Sequence, residues 1–284
     1  MAKRVYIGVG GKARKVKKIY IGVAGVARKV KKAYIGVGGV ARIFWSGGAL
    51  EYYGTATALS SGRTYHAAAT VGNYALFGGG YSYSSGYMTT VDAYSASLIR
   101  STPTALSVAR YKLAAAAVGN YALFIGGYYY DGEDQMNSTT IDVYNTSLTR
   151  STMTAAQVCF GNAAATVGDY ILYVRNNSAN SVVASIDASL TKGTAASLST
   201  ARYDLAAMTL GDFALFGGGC TSSSSRSAVV DSYDASLTMT VATSLSLARE
   251  YPQGIQVGDY GLFAGGNNGS SSGSYSAVVD VYTI

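Results

Sequence analysis

A glycine-marked apolar segment recurs five times after residue 48, and its spacing restricts the chain to very few architectures. The copies are Val71-Gly72-Asn73-Tyr74-Ala75-Leu76-Phe77, Val118-Gly119-Asn120-Tyr121-Ala122-Leu123-Phe124, Val167-Gly168-Asp169-Tyr170-Ile171-Leu172-Tyr173, Leu210-Gly211-Asp212-Phe213-Ala214-Leu215-Phe216 and Val257-Gly258-Asp259-Tyr260-Gly261-Leu262-Phe263. Measured between Gly72, Gly119, Gly168, Gly211 and Gly258, the period is 47, 49, 43 and 47 residues. Repeats of this length build propellers or helical arrays, each unit burying its faces against its neighbours. Composition chooses between the two: 35 Gly, 2 Pro, 25 Tyr and short Val/Ala/Thr/Ser runs broken by Gly, Asn and Asp favour strands and turns over helices.

Each repeat predicts four short strands. In the second, Leu106-Ser107-Val108-Ala109-Arg110-Tyr111 leads into a small-residue strand over 113–118. A Gly-Asn turn, the apolar strand Tyr121 to Phe124, a glycine run, a Tyr/Ser/Gly loop and the strand Thr140 to Tyr144 follow. A fourth strand precedes the next Leu-Ser. Four strands in 43 to 49 residues make one propeller blade, so the expected fold is all-β: a five-bladed propeller over 49–284. Leu50-Glu51-Tyr52-Tyr53 resembles a shortened third strand that would let the first and last segments share a blade and close the ring.

Charge divides the chain in the same place. Residues 1–45 carry twelve Lys and Arg and no Asp or Glu, whereas 46–284 carry ten basic and fifteen acidic residues, which sets a domain boundary near Ser46-Gly47-Gly48. In the basic segment, residues 1–48, a shorter repeat of period 14 appears: Val5-Tyr6-Ile7-Gly8-Val9, Ile19-Tyr20-Ile21-Gly22-Val23 and Ala33-Tyr34-Ile35-Gly36-Val37. Gly10-Gly11, Ala24-Gly25 or Gly38-Gly39 follows each, and then a five-residue arm. That is the arithmetic of a hairpin meander with two-residue turns. So small a ribbon lacks a core of its own and is expected to self-associate or dock on a partner. Lys12, Arg14, Lys15, Lys17, Lys18, Arg28, Lys29, Lys31 and Lys32 are the candidate attachment residues. Nucleic acid is not expected, since no recognised binding module is present.

The period, the strand ending in Gly-Gly (Gly79-Gly80, Gly126-Gly127, Gly218-Gly219, Gly265-Gly266) and the Asp-x-Tyr strand (Asp92 with Tyr94, Asp142 with Tyr144, Asp231 with Tyr233, Asp280 with Tyr282) resemble Kelch repeats. Leu98, Leu148, Leu190 and Leu237 stand where Kelch blades usually carry Trp. Nine residues before each turn glycine stand Arg63, Arg110, Arg202 and Arg249, but repeat three has Cys159. There Ala184 replaces the Asp, Ile186 the Tyr, and Val174-Arg175-Asn176 the glycine run. Losing Arg and Asp together implies that they pair in the ordinary blades, because removing one alone would strand a buried charge.

Little points to catalysis. The Kelch-like galactose oxidases need two His ligands for copper, and this chain has one His, His66, at the start of a blade strand. No carboxylate pair recurs outside the structural Asp positions, and the two cysteines, Cys159 and Cys220, lie in different repeats. The sequence therefore predicts no enzyme, no cofactor and no metal, with Asp131-Gly132-Glu133-Asp134 read as a solvated acidic loop and calcium binding as its alternative. The loops after the glycine run are the expected binding surface. Their Tyr, Ser, Gly and Asn composition supplies rigid aromatic contact area beside adaptable polar groups. Tyr81, Tyr83, Tyr87, Tyr128, Tyr129, Tyr130, Asp131, Arg175, Asn176, Asn177, Arg226, Asn267 and Asn268 are the candidate ligand-binding residues, and sugars suit such a surface. A basic hairpin-repeat head followed by such a propeller resembles tail-fibre or receptor-binding proteins of tailed phages and prophages of Gram-positive bacteria. That resemblance implies attachment to virion tail or baseplate proteins through residues 1–48, homo-oligomerisation there, and adsorption of the loop face to a host surface glycan or protein. The implied location is the virion, after synthesis in the host cytoplasm, since no signal peptide and no membrane-spanning stretch is expected. The alternative is an intracellular protein-interaction propeller with a basic docking tail.

Overall fold

A computed structural model describes 55–157, 159, 163–175, 178–269 and 274–284 in full, together with the backbone of the strands between 6 and 46. The chain divides into two compact units, Met1–Thr55 and Ala56–Ile284. In the first, Tyr6–Val9 pairs with Lys12–Lys15, Tyr20–Val23 with Val26–Lys29, and Lys32–Val37 with Val40–Ser46. Each hairpin turns through the expected two residues, since Val9 faces Lys12, Val23 faces Val26 and Val37 faces Val40. The hairpins do not join into the expected meander: the strands pair only two by two. Of the attachment residues, Lys12, Arg14, Lys15, Arg28, Lys29 and Lys32 lie on these strands, while Lys17, Lys18 and Lys31 fall outside the described residues, as do Leu50 to Tyr53.

The second unit is a five-bladed β-propeller, five small antiparallel sheets in a ring. Blade one consists of Ala67–Val71, Tyr74–Gly78, Val91–Ser95 and Arg100–Ser101. Blade two has Ala114–Val118, Tyr121–Ile125, Thr140–Asn145 and Arg150–Thr154. Blade three has Ala164–Val167, Tyr170–Val174, Val183–Asp187 and Lys192–Thr194, and blade four Ala206–Leu210, Phe213–Gly217, Val230–Tyr233 and Met239–Ala242. Blade five pairs Gln253–Val257, Tyr260–Ala264 and Val279–Thr283. The first strand of each blade bonds to one neighbour only and is the innermost.

Alternation along the third strand builds the seams. In blade two, Ile141 and Val143 belong to the core shared with blade three, while Tyr144 belongs to the core shared with blade one. The tyrosine face carries an edge-to-face aromatic pair in four blades: Phe77–Tyr94, Phe124–Tyr144, Phe216–Tyr233 and Phe263–Tyr282, with centroids 5.6 to 5.9 Å apart. Such pairs add about 0.5–1.5 kcal/mol beyond their burial. The opposite face of blade five is different. Val279 is 49% exposed, whereas its equivalents Val91, Ile141, Val183 and Val230 are at most 1% exposed. The side that would meet the following blade in the ring is therefore open there.

The glycine run answers a close approach between blades. The second glycine donates its N–H to the backbone of the next blade, from Gly80 to Arg110 O and from Gly219 to Arg249 O. The first has φ of +67° at Gly79 and +74° at Gly218, and a Cβ at either would lie 2.7 Å from that same carbonyl. Only glycine meets both demands.

The predicted ion pairs form in all four blades that retain the motif. Arg63 lies 2.8 Å from Asp92 and Arg249 lies 2.7 Å from Asp280; Arg110 pairs with Asp142 and Arg202 with Asp231. The four arginine side chains are fully buried. Each pair does more than neutralise itself. Arg110 also donates to the carbonyls of Gly126 and Thr140, and Arg202 to those of Gly218 and Val229. The aspartate accepts the N–H of the blade's leading serine, Ser60, Ser107, Ser199 or Ser246. These extra bonds offset the cost of burying the charges, although the Nε–H groups of Arg63, Arg110 and Arg249 stay without a hydrogen-bond partner among the described residues.

Candidate ligand-binding face

Chain direction sorts the functional elements onto one end of the blades. The innermost strand leaves the arginine end, turns at Gly72 or its equivalents, and the second strand returns to where the glycine run leads into the variable loop. In three blades that loop is a short hairpin: Tyr81–Ser82 with Gly86–Tyr87, Tyr128–Tyr130 with Gln135–Asn137, and Cys220–Ser222 with Ser225–Arg226. The residue after each arginine pins its first strand, through the bridges Thr64 to Tyr81, Tyr111 to Tyr128, Tyr203 to Cys220 and Glu250 to Asn267. All four loops thus stand beside the channel mouth.

Four of the predicted tyrosines come together, joined by two that the loop reading passed over. Tyr87 stacks on Tyr111 with centroids 4.8 Å apart and planes 19° apart. Tyr65, Tyr81 and Tyr128 approach Tyr111 at 5.9, 6.2 and 5.6 Å, and Tyr130 approaches Tyr87 at 6.4 Å. The Gln135 carbonyl accepts from the Tyr111 hydroxyl at 2.7 Å and from Tyr87 at 3.3 Å, tying the hairpins of blades one and two together. The Lys112 ammonium sits 5.4 Å from the Tyr65 ring and 5.8 Å from the Tyr111 ring, within cation–π range.

The other predicted residues have separate positions. Tyr83 is almost fully exposed at a hairpin tip, and Tyr129 faces Met136 across its own hairpin. Asp131 Oδ1 accepts the N–H groups of Glu133 and Asp134, which holds its carboxyl below the ordinary range. Arg226 pairs with Glu250 at 2.6 Å, and Glu250 also accepts from the Cys220 thiol, which burial pushes up to about 12. Asn267 Oδ1 caps the N–H of Gly269, and the Asn268 N–H donates to Ser274 O. Arg175 is half-buried and engaged, and Asn176 and Asn177 lie outside the described residues. Among the described residues no three His, Cys, Asp or Glu side chains gather as a metal site.

A second set of residues was missed altogether. Two positions after each arginine the backbone turns left-handed: Tyr65, Lys112, Asp204 and Tyr251 have φ of 54, 51, 55 and 53°. Such values are uncommon outside glycine and costly for bulky side chains. These four line the mouth of a funnel of about 860 Å³ whose wall is mostly alanine, threonine and backbone from all five innermost strands, with His66 and Tyr128 near the mouth. Deeper in, Thr209 Oγ1 donates to Thr166 O at 2.8 Å and accepts from its N–H, and Thr166 Oγ1 donates to Ala117 O, so blades two, three and four are cross-bonded there. Asp204 is half-buried; burial raises its carboxyl to about 6 against the pull of a hydrogen bond from Tyr251. His66 is held below its ordinary value by burial and then by Arg63, and is neutral at pH 7.

The chemistry of these positions is read by contrast with a second left-handed series. Leu98, Leu148, Leu190 and Leu237 have φ of 60 to 63° in the turns at the other end of the blades, where the side chain of Ser95, Asn145, Asp187 or Asp234 accepts two turn N–H groups. There the residue is the same each time and three of the four pack on the core, so the conformation serves the scaffold. At the funnel mouth the backbone repeats but the side chains differ: two aromatic rings, one cation and one carboxylate. A fixed frame presenting unlike groups towards a cavity is the arrangement of a binding site. The signal in the sequence is weak: the residue two after each repeating arginine changes from Tyr65 to Lys112, Asp204 and Tyr251, and its immediate neighbours change as well.

No protein-family model matches the chain, and no curated protein matches it in sequence. Among solved structures it is similar to that of YjhT, with a TM-score of 0.64 at 14% identity over 100% of this chain and 93% of that one. That likeness bears on fold alone, and together with the strand topology it establishes the protein as a five-bladed β-propeller.

Proposed function

We propose that this protein is a receptor-binding component of a virion tail, with the hairpin face of the propeller adsorbing to a host surface glycan and residues 1–48 forming the attachment and self-association segment. The observation that carries the reading is the wall of six tyrosines centred on Tyr111, itself one of them, fixed by two hairpins and by Gln135 and left partly open at Tyr65 and Tyr130. Exposed aromatic clusters on a rigid frame are poor choices for solubility and good ones for stacking against sugar rings or apolar side chains. Weak single sites suit a particle that displays many copies, since avidity multiplies without new contacts. The chemistry is that of binding rather than catalysis.

The test is adsorption of fluorescently labelled full-length protein to a panel of bacterial cells, comparing the parent with a Tyr87→Ser, Tyr111→Ser, Tyr130→Ser variant of unchanged circular dichroism. Saturable binding that the variant loses supports adhesion by this face. Parent binding that the variant retains removes the tyrosine wall from the account, and an absence of binding to every strain shifts the reading to an intracellular interaction propeller with a basic docking tail.

A further inference from the structure

The funnel and the tyrosine wall are adjacent but chemically unlike. The wall is aromatic and, apart from Lys112, uncharged. On the other side of the mouth stands Asp204, with Glu250, Arg226 and Cys220 behind it. Arg226 neutralises Glu250 through a 2.6 Å contact, so Asp204 is the carboxylate left for a ligand. Tyr251 interacts with it through its hydroxyl, and both residues line the cavity. Lys112 is the nearest cation, and its ammonium is drawn towards the rings of Tyr65 and Tyr111.

The wall of the funnel adds a second requirement. Each innermost strand pairs within its blade on one side only, so apart from the Ala117 and Thr166 groups that the threonine hydroxyls serve, its other edge turns backbone N–H and C=O groups inwards. The alanines at 67, 68, 115, 116, 164, 165 and 207 do little to cover them. A ligand entering here meets aromatic faces at Tyr65, Tyr128 and Tyr251, an oriented carboxylate, and scattered donors and acceptors with no dominant charge. Apolar groups would leave those backbone groups unpartnered, and acidic groups would be repelled by Asp204. A ring with one apolar face and a rim of hydroxyls satisfies all three features.

We infer that the funnel is a subsite for one neutral pyranose unit of the adsorbed glycan, with Asp204 accepting hydrogen bonds from two adjacent hydroxyls and Tyr251 orienting that carboxylate while its ring, with Tyr65, bounds the sugar. This rests on the adhesive reading of the hairpin face and adds the ligand class and its anchoring residue.

The experiment is saturation-transfer NMR of the full-length protein with free glucose, galactose, N-acetylglucosamine and N-acetylgalactosamine, with glucuronate and lysine as charged comparators, repeated on Asp204→Asn and Tyr251→Phe. At least one neutral sugar is expected to show transfer. Its dissociation constant should rise by about tenfold to a hundredfold in Asp204→Asn, the worth of a hydrogen bond to a charged acceptor, and by less in Tyr251→Phe, which keeps the ring. Transfer to glucuronate or lysine alone, or to no probe, overturns the inference, as does a neutral sugar whose affinity is unchanged in Asp204→Asn. Cell adsorption by the same variants separates the two levels. An Asp204→Asn protein that binds cells like the parent sinks the subsite and leaves the tyrosine wall standing, whereas failure of the parent to bind cells sinks the adhesive reading itself.

Discussion

Blades two and three solve one packing problem with different chemistry. In blade two, Arg110 donates to carbonyls at the inner end of the sheet and Asp142 accepts the N–H of Ser107. In blade three both charges are gone, yet the groups equivalent to Thr140 O, to the Ser107 N–H and to the Phe77, Phe216 and Phe263 carbonyls that the arginines of blades one, four and five bond are satisfied. Gln157 Nε2 donates to the carbonyls of Tyr173 and Val182 at 3.1 Å each, and the Tyr173 hydroxyl accepts the N–H of Ala156 at 3.0 Å. The register explains how the space is shared. Tyr173 faces Ala184 where Phe124 faces Asp142, and Ile171 faces Ile186 where Ala122 faces Tyr144. The phenol has moved to the neighbouring strand and its hydroxyl stands in for the aspartate. The repeat is therefore defined by which backbone groups must be satisfied, not by the residues that satisfy them.

The comparison can be broken most severely at Arg110. Arg110→Met leaves Asp142 buried with only the partly exposed Arg150, 3.0 Å away, to balance it. Urea unfolding should show a loss of about 3 kcal/mol or more, and an unchanged midpoint would deny the pair any structural role.

Transplanting the blade-three solution is the sharper test. Arg110→Cys with Asp142→Ala removes both charges but leaves the Gly126 carbonyl and the Ser107 N–H unserved and the Thr140 carbonyl with only the Gly126 N–H. Adding Val108→Gln, Phe124→Tyr and Tyr144→Ile supplies a neutral donor to the carbonyls of residues 124 and 140 and a phenol acceptor for the Ser107 N–H, as in blade three, so the five-fold variant should unfold at higher urea than the double variant. If it does not, the two arrangements are not interchangeable.

Removing one hydroxyl is milder. Tyr173→Phe removes the buried hydroxyl that accepts the Ala156 N–H and should cost about 0.5–1.5 kcal/mol, whereas Tyr94→Phe in blade one, whose hydroxyl bonds a carbonyl at Thr57 in an exposed setting, should cost less.

The smallest effect, and the one of opposite sign, falls at the funnel. The Asp204 carboxyl titrates near 6 in the folded protein, above the ordinary value of 3.8. The folded state therefore holds this proton more tightly than the unfolded chain. Stability from this group is present below about pH 4, declines as pH rises to about 6, and is absent at pH 7. Burial drives the shift, Glu250 reinforces it, and Tyr251, Lys112 and Arg226 oppose it. Asp204→Asn should raise the melting temperature slightly at pH 7 and leave it unchanged at pH 3.5. A variant less stable than the parent at pH 7 would contradict the strained carboxylate.

Much of this molecule was legible without coordinates because a repeat must solve its packing five times. Turn glycines at fixed spacing gave the blades, alternation along Thr140 to Tyr144 gave their two faces, and the joint loss of Arg and Asp in one repeat exposed their pairing in the other four. Gln157 and Tyr173 escaped notice because they act from different alignment positions than the groups they replace, a correspondence that only hydrogen bonds display. Asp204 and Tyr251 lie far apart in sequence-neutral terms, in different repeats, and meet because ring geometry brings every blade's innermost strand to one axis. The tyrosine wall was half visible, since Tyr81, Tyr87, Tyr128 and Tyr130 stand in compositionally marked loops, whereas Tyr65 and Tyr111 hide inside the repeating frame. The sequence alone thus determined the architecture, for periodic patterns constrain backbone, turns and core faces locally. The tertiary structure alone decided which non-repeating side chains converge, because convergence depends on the closing angle between blades and on a left-handed backbone at four positions that no residue preference would have chosen.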